Sequence, residues 1–305
     1  MQKILYLLRH TLSPLYDERE RNAIIEMLVE ETCGWTRNDY LTHRTDILPE
    51  DIRQRLTGYA AQMAQGIPVQ QVLGYAEFMG RKFKVTADTL IPRPETAELV
   101  NWVINDWGKV FHKDIQSVVD IGTGSGCIAI SLALAFKDVN ISAIDLSTAA
   151  LRVAKENAES LCAKNIDFIH MDILKPDSDH NIHRDIHIPE EIYSLPAPRY
   201  EHHDIIISNP PYICESEAGE MSAVVYEHEP HMALFVPDKN PMLFYRAIAR
   251  YGMLHLNPGG VLYLEINERY GKDISDLLGK AGYADISVRR DMNGKNRMAR
   301  AIKQR

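Results

Sequence analysis

The sequence predicts an α/β fold: a parallel sheet covered by helices on both faces, preceded by a small helical domain. Three observations carry this. From Gln116 onward, short β-branched runs alternate with helix-length segments, the pattern of strand–helix–strand units. Residues 1–75 lack that alternation and repeat their apolar residues at helical spacing. The chain has 305 residues, room for two domains at ~100–200 residues each.

The helical domain is expected over 1–75. Ile24-Ile25 and Leu28-Val29 recur one turn apart, as do Ile52 and Leu56, and Pro49 suits the first turn of a helix. A linker is expected over 76–93. Within it, 78–85 reads as a hairpin turning near Gly80. Ile91-Pro92-Arg93-Pro94 cannot be helix interior, because proline disfavours the α region in the residue before it. The third part, 94–305, opens with a helix over 95–103. Strands are expected over 117–121, 140–144, 167–170, 204–208 and 260–266, with helices over 127–136 and 149–159. Near the end, 286–289 and 297–302 flank an Asn293-Gly294 hairpin signal. Residues 175–203 read as a long irregular insertion containing Pro176, Pro189, Pro196 and Pro198. It carries His180, His183, His187, His202 and His203, whose spacing matches no zinc pattern, so no metal is expected.

Bulk properties narrow the function classes. A net charge of −8 argues against a protein that grips a long stretch of nucleic acid, and no direct nucleic-acid partner is expected. Cys33, Cys127, Cys162 and Cys214 form no C-x-x-C pair, which fits free thiols in a reducing cytosol. No apolar run approaches the ~20 residues that span a membrane, and the apolar start soon meets Arg9 and His10. A cytoplasmic location without membrane contact is expected.

Two constellations carry chemistry. The first is Asp120-Ile121-Gly122-Thr123-Gly124-Ser125-Gly126, between a strand and a helix. Its glycines let backbone approach a ligand, and the following helix offers unpaired N–H groups. The spacing is G-x-G-x-G and not the dinucleotide fingerprint, since position 127 is Cys. Asp145 ends the next strand, where a carboxylate can accept bonds from both ribose hydroxyls of a nucleoside. Asp172, at the end of the third, is placed to approach an adenine amino group. Together these resemble the nucleoside site of the S-adenosylmethionine methyltransferase superfamily, and the resemblance implies a Rossmann-like class I S-adenosylmethionine-dependent methyltransferase domain. The expected cofactor set is Asp120, Gly122, Thr123, Gly124, Gly126, Asp145, Leu146, Asp172, Ile173 and Asn209.

The second constellation is Asn209-Pro210-Pro211-Tyr212. The prolines stiffen the turn. The Asn209 side chain and the Pro210 carbonyl supply two acceptors for a planar NH2 group. That aims the nitrogen at an electrophilic methyl at a near-attack distance of ~3–3.5 Å. Tyr212 can pack on the acceptor's flat face. Asn209, Pro210 and Tyr212 are therefore the expected catalytic residues, and Asn209 to Tyr212 the substrate-binding ones. No general base stands out.

The resemblance to a family then becomes specific. The stretch from Pro68 to Phe78, the segment Leu90-Ile91-Pro92-Arg93-Pro94-Glu95-Thr96, Glu229-Pro230, and Arg290-Asp291 with Asn296-Arg297 resemble the HemK/PrmC family of peptide chain release factor N5-glutamine methyltransferases. The resemblance implies methylation of the glutamine in the Gly-Gly-Gln motif of class-1 release factors. It also implies a helical domain that docks that partner, and a lid containing Arg93 and Glu95. The alternatives are methylation of a glutamine in a ribosomal protein, or of an exocyclic amino group in nucleic acid. Two departures stand out: Ile173 replaces the family's frequent aromatic, and 175–203 is long.

Overall fold

The computed structural model describes residues 1–43, 45–107, 115–175 and 202–304. The insertion expected over 175–203, with His180, His183 and His187, therefore lies almost wholly outside the described residues. The chain forms two compact units, Met1–Tyr75 with Glu220–His228, and Ala76–Gly219 with Glu229–Arg305.

The first unit is helical, with α1 (Gln2–Leu12), α2 (Glu18–Cys33), α3 (Arg37–Thr42), α4 (Glu50–Met63) and α5 (Val69–Leu73). Asp17 caps α2 by accepting the Glu20 N–H, and a Thr36/Asp39 capping box opens α3. Pro49 is the N-cap of α4 and not a first-turn residue. Leu8, Leu12, Ile25, Leu28, Leu56 and Met63 form its buried centre.

The second unit opens on a hairpin of β1 (Tyr75–Phe78) and β2 (Arg81–Lys84), turning at Met79-Gly80. Both turn residues have positive φ, 49° and 72°, as the two-residue turn of a twisted hairpin requires. Then come α6 (Pro94–Asp106), β3 (Ser117–Ile121), α7 (Cys127–Ala135), β4 (Asn140–Asp145), α8 (Thr148–Ser160), β5 (Ile166–His170) and β6 (His203–Ser208). After β7 (Ile213–Cys214), helix α9 (Ala223–His228) groups with the first unit. The chain returns through α10 (His231–Leu234), β8 (Phe235–Val236), α11 (Leu243–His255), β9 (Leu256–Glu265), α12 (Gly271–Lys280), β10 (Tyr283–Arg290) and β11 (Asn296–Lys303).

Seven strands form one sheet in the order β10-β11-β9-β6-β3-β4-β5. The expectation of a parallel sheet holds from β9 to β5. At the other edge β11 is antiparallel to both neighbours, because the β10–β11 turn folds the chain back between β10 and β9. That turn closes with Gly294 N–H donating to the Asp291 carbonyl, and only Gly294 there has positive φ. The hairpin signalled by Asn293-Gly294 is thus present between β10 and β11.

The strands alternate their faces. Val118, Ile205, Ile207, Val261 and Tyr263 pack on one side with α6, α7 and α8. Val119, Ile206, Leu262 and Leu264 pack on the other with α11 and α12. Burial on both faces explains the unbroken apolar runs of β3 and β6. β6 starts one residue earlier than expected, at His203. That ring is buried against the Ser117 hydroxyl at 2.8 Å, and burial pulls its pKa down to about 4.

Candidate active site

A cleft opens at the carboxyl ends of β3, β4 and β6, enclosing about 850 Å³ with the open solvent at its mouth included. It lies where strand order reverses between β3 and β6, the place at which open α/β sheets bind ligands.

One wall is the glycine loop. Gly122 and Gly124 line the cleft. Gly122 and Thr123 donate their N–H groups to the Ile144 carbonyl at 2.8 and 2.9 Å, pinning the loop to β4. Gly124, with φ of 56°, turns its N–H onto Asp145 Oδ2 at 2.8 Å. Asp145 Oδ1 accepts the Ser147 N–H at 2.8 Å. Each carboxylate oxygen thus holds one backbone bond and keeps acceptor capacity on the cleft side. Burial raises the Asp145 pKa, while the Ser147 and Gly124 N–H groups pull against it. Leu146, Asp172 and Ile173 complete this side. Asp172 lies two residues beyond β5 and accepts the Leu174 N–H at 2.9 Å. Ile173 shares the lining with Met171 and Phe244.

Three expected cofactor residues stand behind the wall. Asp120 is fully buried, and its Oδ2 accepts from the Thr123 hydroxyl at 2.7 Å and the Ala129 N–H at 3.2 Å. Its Oδ1 has no hydrogen-bond partner, and burial pushes its pKa up to about 7. Thr123 is spent on that bond. Gly126 admits α8: a Cβ there would meet Ile130 Cδ1 at 2.9 Å and Ala154 Cβ at 3.1 Å.

The facing wall is Asn209, Pro210 and Pro211. A Cβ on Gly122 would stand 4.0 Å from the Asn209 carbonyl oxygen, so loop and turn adjoin. Asn209 Nδ2 donates to Thr96 Oγ1 at 3.1 Å. Tyr212 is not part of the lining. Its hydroxyl donates to Glu265 Oε1 at 3.0 Å, and Arg297 Nη1 donates to that hydroxyl at 3.4 Å. Burial first, then Glu265, holds the Tyr212 hydroxyl protonated well above the usual phenol range.

Asp88, Leu90, Pro230, Met232 and Ala233 close a third side. Glu229 ties these segments together, accepting the Ile91 N–H at 3.1 Å and pairing with Arg93 Nη2 at 2.5 Å. Arg93 and Glu95 themselves do not line the cleft. Thr96, Glu229 and Arg297 fall inside segments quoted above without a role. Glu265 was missed altogether, although it repeats the signal that found Asp145: a carboxylate ending an apolar strand. Among the described residues, no three His, Cys, Asp or Glu side chains are grouped to hold a metal ion. No helix among them is long and apolar enough to cross a membrane.

Residues 4–74 match the PrmC N-terminal domain and residues 112–217 a methyltransferase domain. The release factor glutamine methyltransferase of Bacteroides thetaiotaomicron is 37% identical over 301 residues, covering 99% of both chains. That of Bacillus subtilis is 36% identical over 286 residues, covering 93% of this chain and 92% of its own. Among solved structures, the hMettl16 catalytic domain in complex with MAT2A 3'UTR hairpin 1 aligns with a TM-score of 0.52 at 15% identity, covering 82% of this chain and 80% of that one. This last likeness concerns the fold alone. The fold is that of a class I methyltransferase, and S-adenosylmethionine is the methyl donor. The cleft fits such a donor, with paired acceptors on Asp145, bare backbone at Gly122 and Gly124, and apolar sides at Leu146 and Ile173. By its full-length identity to these relatives, the chain belongs to the release factor glutamine methyltransferase family.

Proposed function

We propose that the chain methylates the N5 side-chain amide nitrogen of the glutamine in the Gly-Gly-Gln motif of class-1 peptide chain release factors. The observation that carries this reading is that the Asn209–Pro211 turn walls the same cleft as Asp145 and the glycine loop. Acceptors for a planar amide thereby adjoin the residues expected to hold a nucleoside. Full-length relatives that bear this activity in their names support it over a ribosomal-protein or nucleic-acid substrate.

The roles follow from the residues. The carboxylate of Asp145 accepts the ribose hydroxyls, Gly122 and Gly124 allow close approach, and Leu146 and Ile173 flank the adenine, with Asp172 near its amino group. Asp120, Thr123 and Gly126 shape the loop from behind. The bound cofactor supplies a methyl group on a cationic sulfur. Asn209 Oδ1 and the Pro210 carbonyl accept the two amide hydrogens, holding the nitrogen in line. Tyr212 braces the turn. An amide nitrogen is a poor nucleophile because its lone pair is delocalised, so orientation supplies much of the rate. The helical first unit docks the release factor, whose remote contacts hold the glutamine in place.

The test is methylation of intact release factor by purified protein, with the modified residue located by mass spectrometry. Label on the Gly-Gly-Gln glutamine supports the reading, and label only on a ribosomal protein or nucleic acid refutes it.

A further inference from the structure

Glu265 does not line the cleft, yet both ends of the Asn209–Tyr212 turn depend on it. It closes β9 beside the end of β6, where Ser208 pairs with Leu264, and its side chain is 1% exposed. Its two oxygens are divided between two hydroxyls. Oε2 accepts from Thr96 Oγ1 at 2.6 Å and Oε1 accepts from Tyr212 at 3.0 Å.

The Thr96 bond has a consequence for polarity. Burial raises the Glu265 pKa while the Thr96 and Tyr212 hydroxyls pull against it; Oε2 accepts the single hydroxyl proton of Thr96, which therefore points at Glu265. Toward Asn209, Thr96 Oγ1 is then left with lone pairs alone. Asn209 must meet it with its NH2 group, as the 3.1 Å Nδ2–Oγ1 bond shows, and its Oδ1 is left for the cleft. Reversed, the amide would turn NH2 toward the substrate's own NH2, donor against donor.

We infer that Glu265 and Thr96 are positioning residues for methyl transfer: the carboxylate fixes the direction of the Thr96 hydroxyl, and the hydroxyl fixes which end of the Asn209 amide faces the substrate. This rests on the reading of Asn209 as the substrate's acceptor. It goes beyond a structural tie between α6 and β9, because a tie has no polarity and this relay does.

The experiment compares Thr96→Val, which keeps the shape and removes the relay, with Thr96→Ser, which keeps the hydroxyl. Thr96→Ala, which also removes the hydroxyl, serves as a second variant with the same expected outcome if Thr96→Val fails to fold. Three quantities are read: single-turnover methylation of an intact class-1 release factor, calorimetric affinity for S-adenosylmethionine, and the Asn209 side-chain amide resonances in nitrogen-15-labelled protein. The relay predicts that Thr96→Val slows single turnover by roughly 10- to 100-fold with cofactor affinity unchanged. Thr96→Ser restores the rate, and the Asn209 amide protons exchange faster in the valine variant only. Wild-type rates and unaltered Asn209 resonances in Thr96→Val would overturn the inference, as would a serine variant as slow as the valine one. The resonances read the relay whatever the substrate. If wild-type protein leaves the release factor unmodified while the resonances respond as predicted, the substrate reading falls and the relay stands.

Discussion

Replacing Asp145 with asparagine tests the cofactor site at one pair of atoms. Oδ2 accepts the Gly124 N–H and Oδ1 the Ser147 N–H, both at 2.8 Å. Asparagine has the same size, but one of its termini is an NH2 group. Whichever way it turns, that group faces a backbone N–H, and one acceptor offered to the ribose becomes a donor. A hydrogen bond to a charged group is worth about 1.5–3 kcal/mol net. One such bond is lost to the fold and one to binding. Asp145→Asn should therefore lower stability by about 1.5–3 kcal/mol and S-adenosylmethionine affinity by roughly 10- to 150-fold. Asp145→Ala removes both ribose bonds, and its affinity loss should reach about 3–6 kcal/mol. Calorimetric titration measures the affinity, with a denaturant titration alongside for stability. Unchanged affinity in both variants would take Asp145 out of the cofactor site. Stability lost without affinity would make it a loop anchor alone.

Three further outcomes are expected. Asn209→Ala should bind S-adenosylmethionine as wild type does, yet slow single-turnover methylation by on the order of 10²-fold; a rate near wild type would refute its role. Gly126→Ala should lose about 1–3 kcal/mol by denaturant titration, since its Cβ would press on Ile130 and Ala154 at a φ of 81°. Asp120 should give stability a pH dependence opposite to that of a salt-bridged carboxylate. Its folded pKa of about 7 exceeds the ordinary aspartate value of 3.8, so between these pH values the folded state holds the extra proton. Stability should fall as pH rises through that window, by at most about 1.4 kcal/mol per unit, and level off above it. Denaturation of Asp120→Asn at pH 5 and pH 8 should show a smaller difference than wild type, and an equal difference would refute the assignment.

The sheet was legible because β3, β4 and β6 are buried on both faces and so consist of short apolar runs, each bounded by polar or glycine residues. Asp145 and the glycine loop were legible for the same reason: a carboxylate or a bare backbone at the end of such a run has no packing role to explain it. Helices α11 and α12 were not anticipated, because the sequence reading followed strands and motifs beyond 208. The grouping of 220–228 with the N-terminal helices was equally hidden. The Gln71 side chain donates to the His228 carbonyl across 157 residues, and no local pattern announces such a contact. The polarity of the Asn209 amide was out of reach too. It depends on Thr96 and Glu265, which lie 113 positions before Asn209 and on another strand.

The proposed reaction joins a sulfonium methyl to a glutamine amide presented by a folded release factor. The most direct measurement incubates the purified full-length chain with methyl-labelled S-adenosylmethionine and either intact class-1 release factor or a short Gly-Gly-Gln peptide. Mass spectrometry then locates the label. A single added methyl is expected on the side-chain nitrogen of that glutamine in the intact factor. Labelling of the peptide, which must be ordered in the pocket without remote contacts, should be far slower. Label on any other residue, or peptide modified as fast as the intact protein, would refute the proposed reaction.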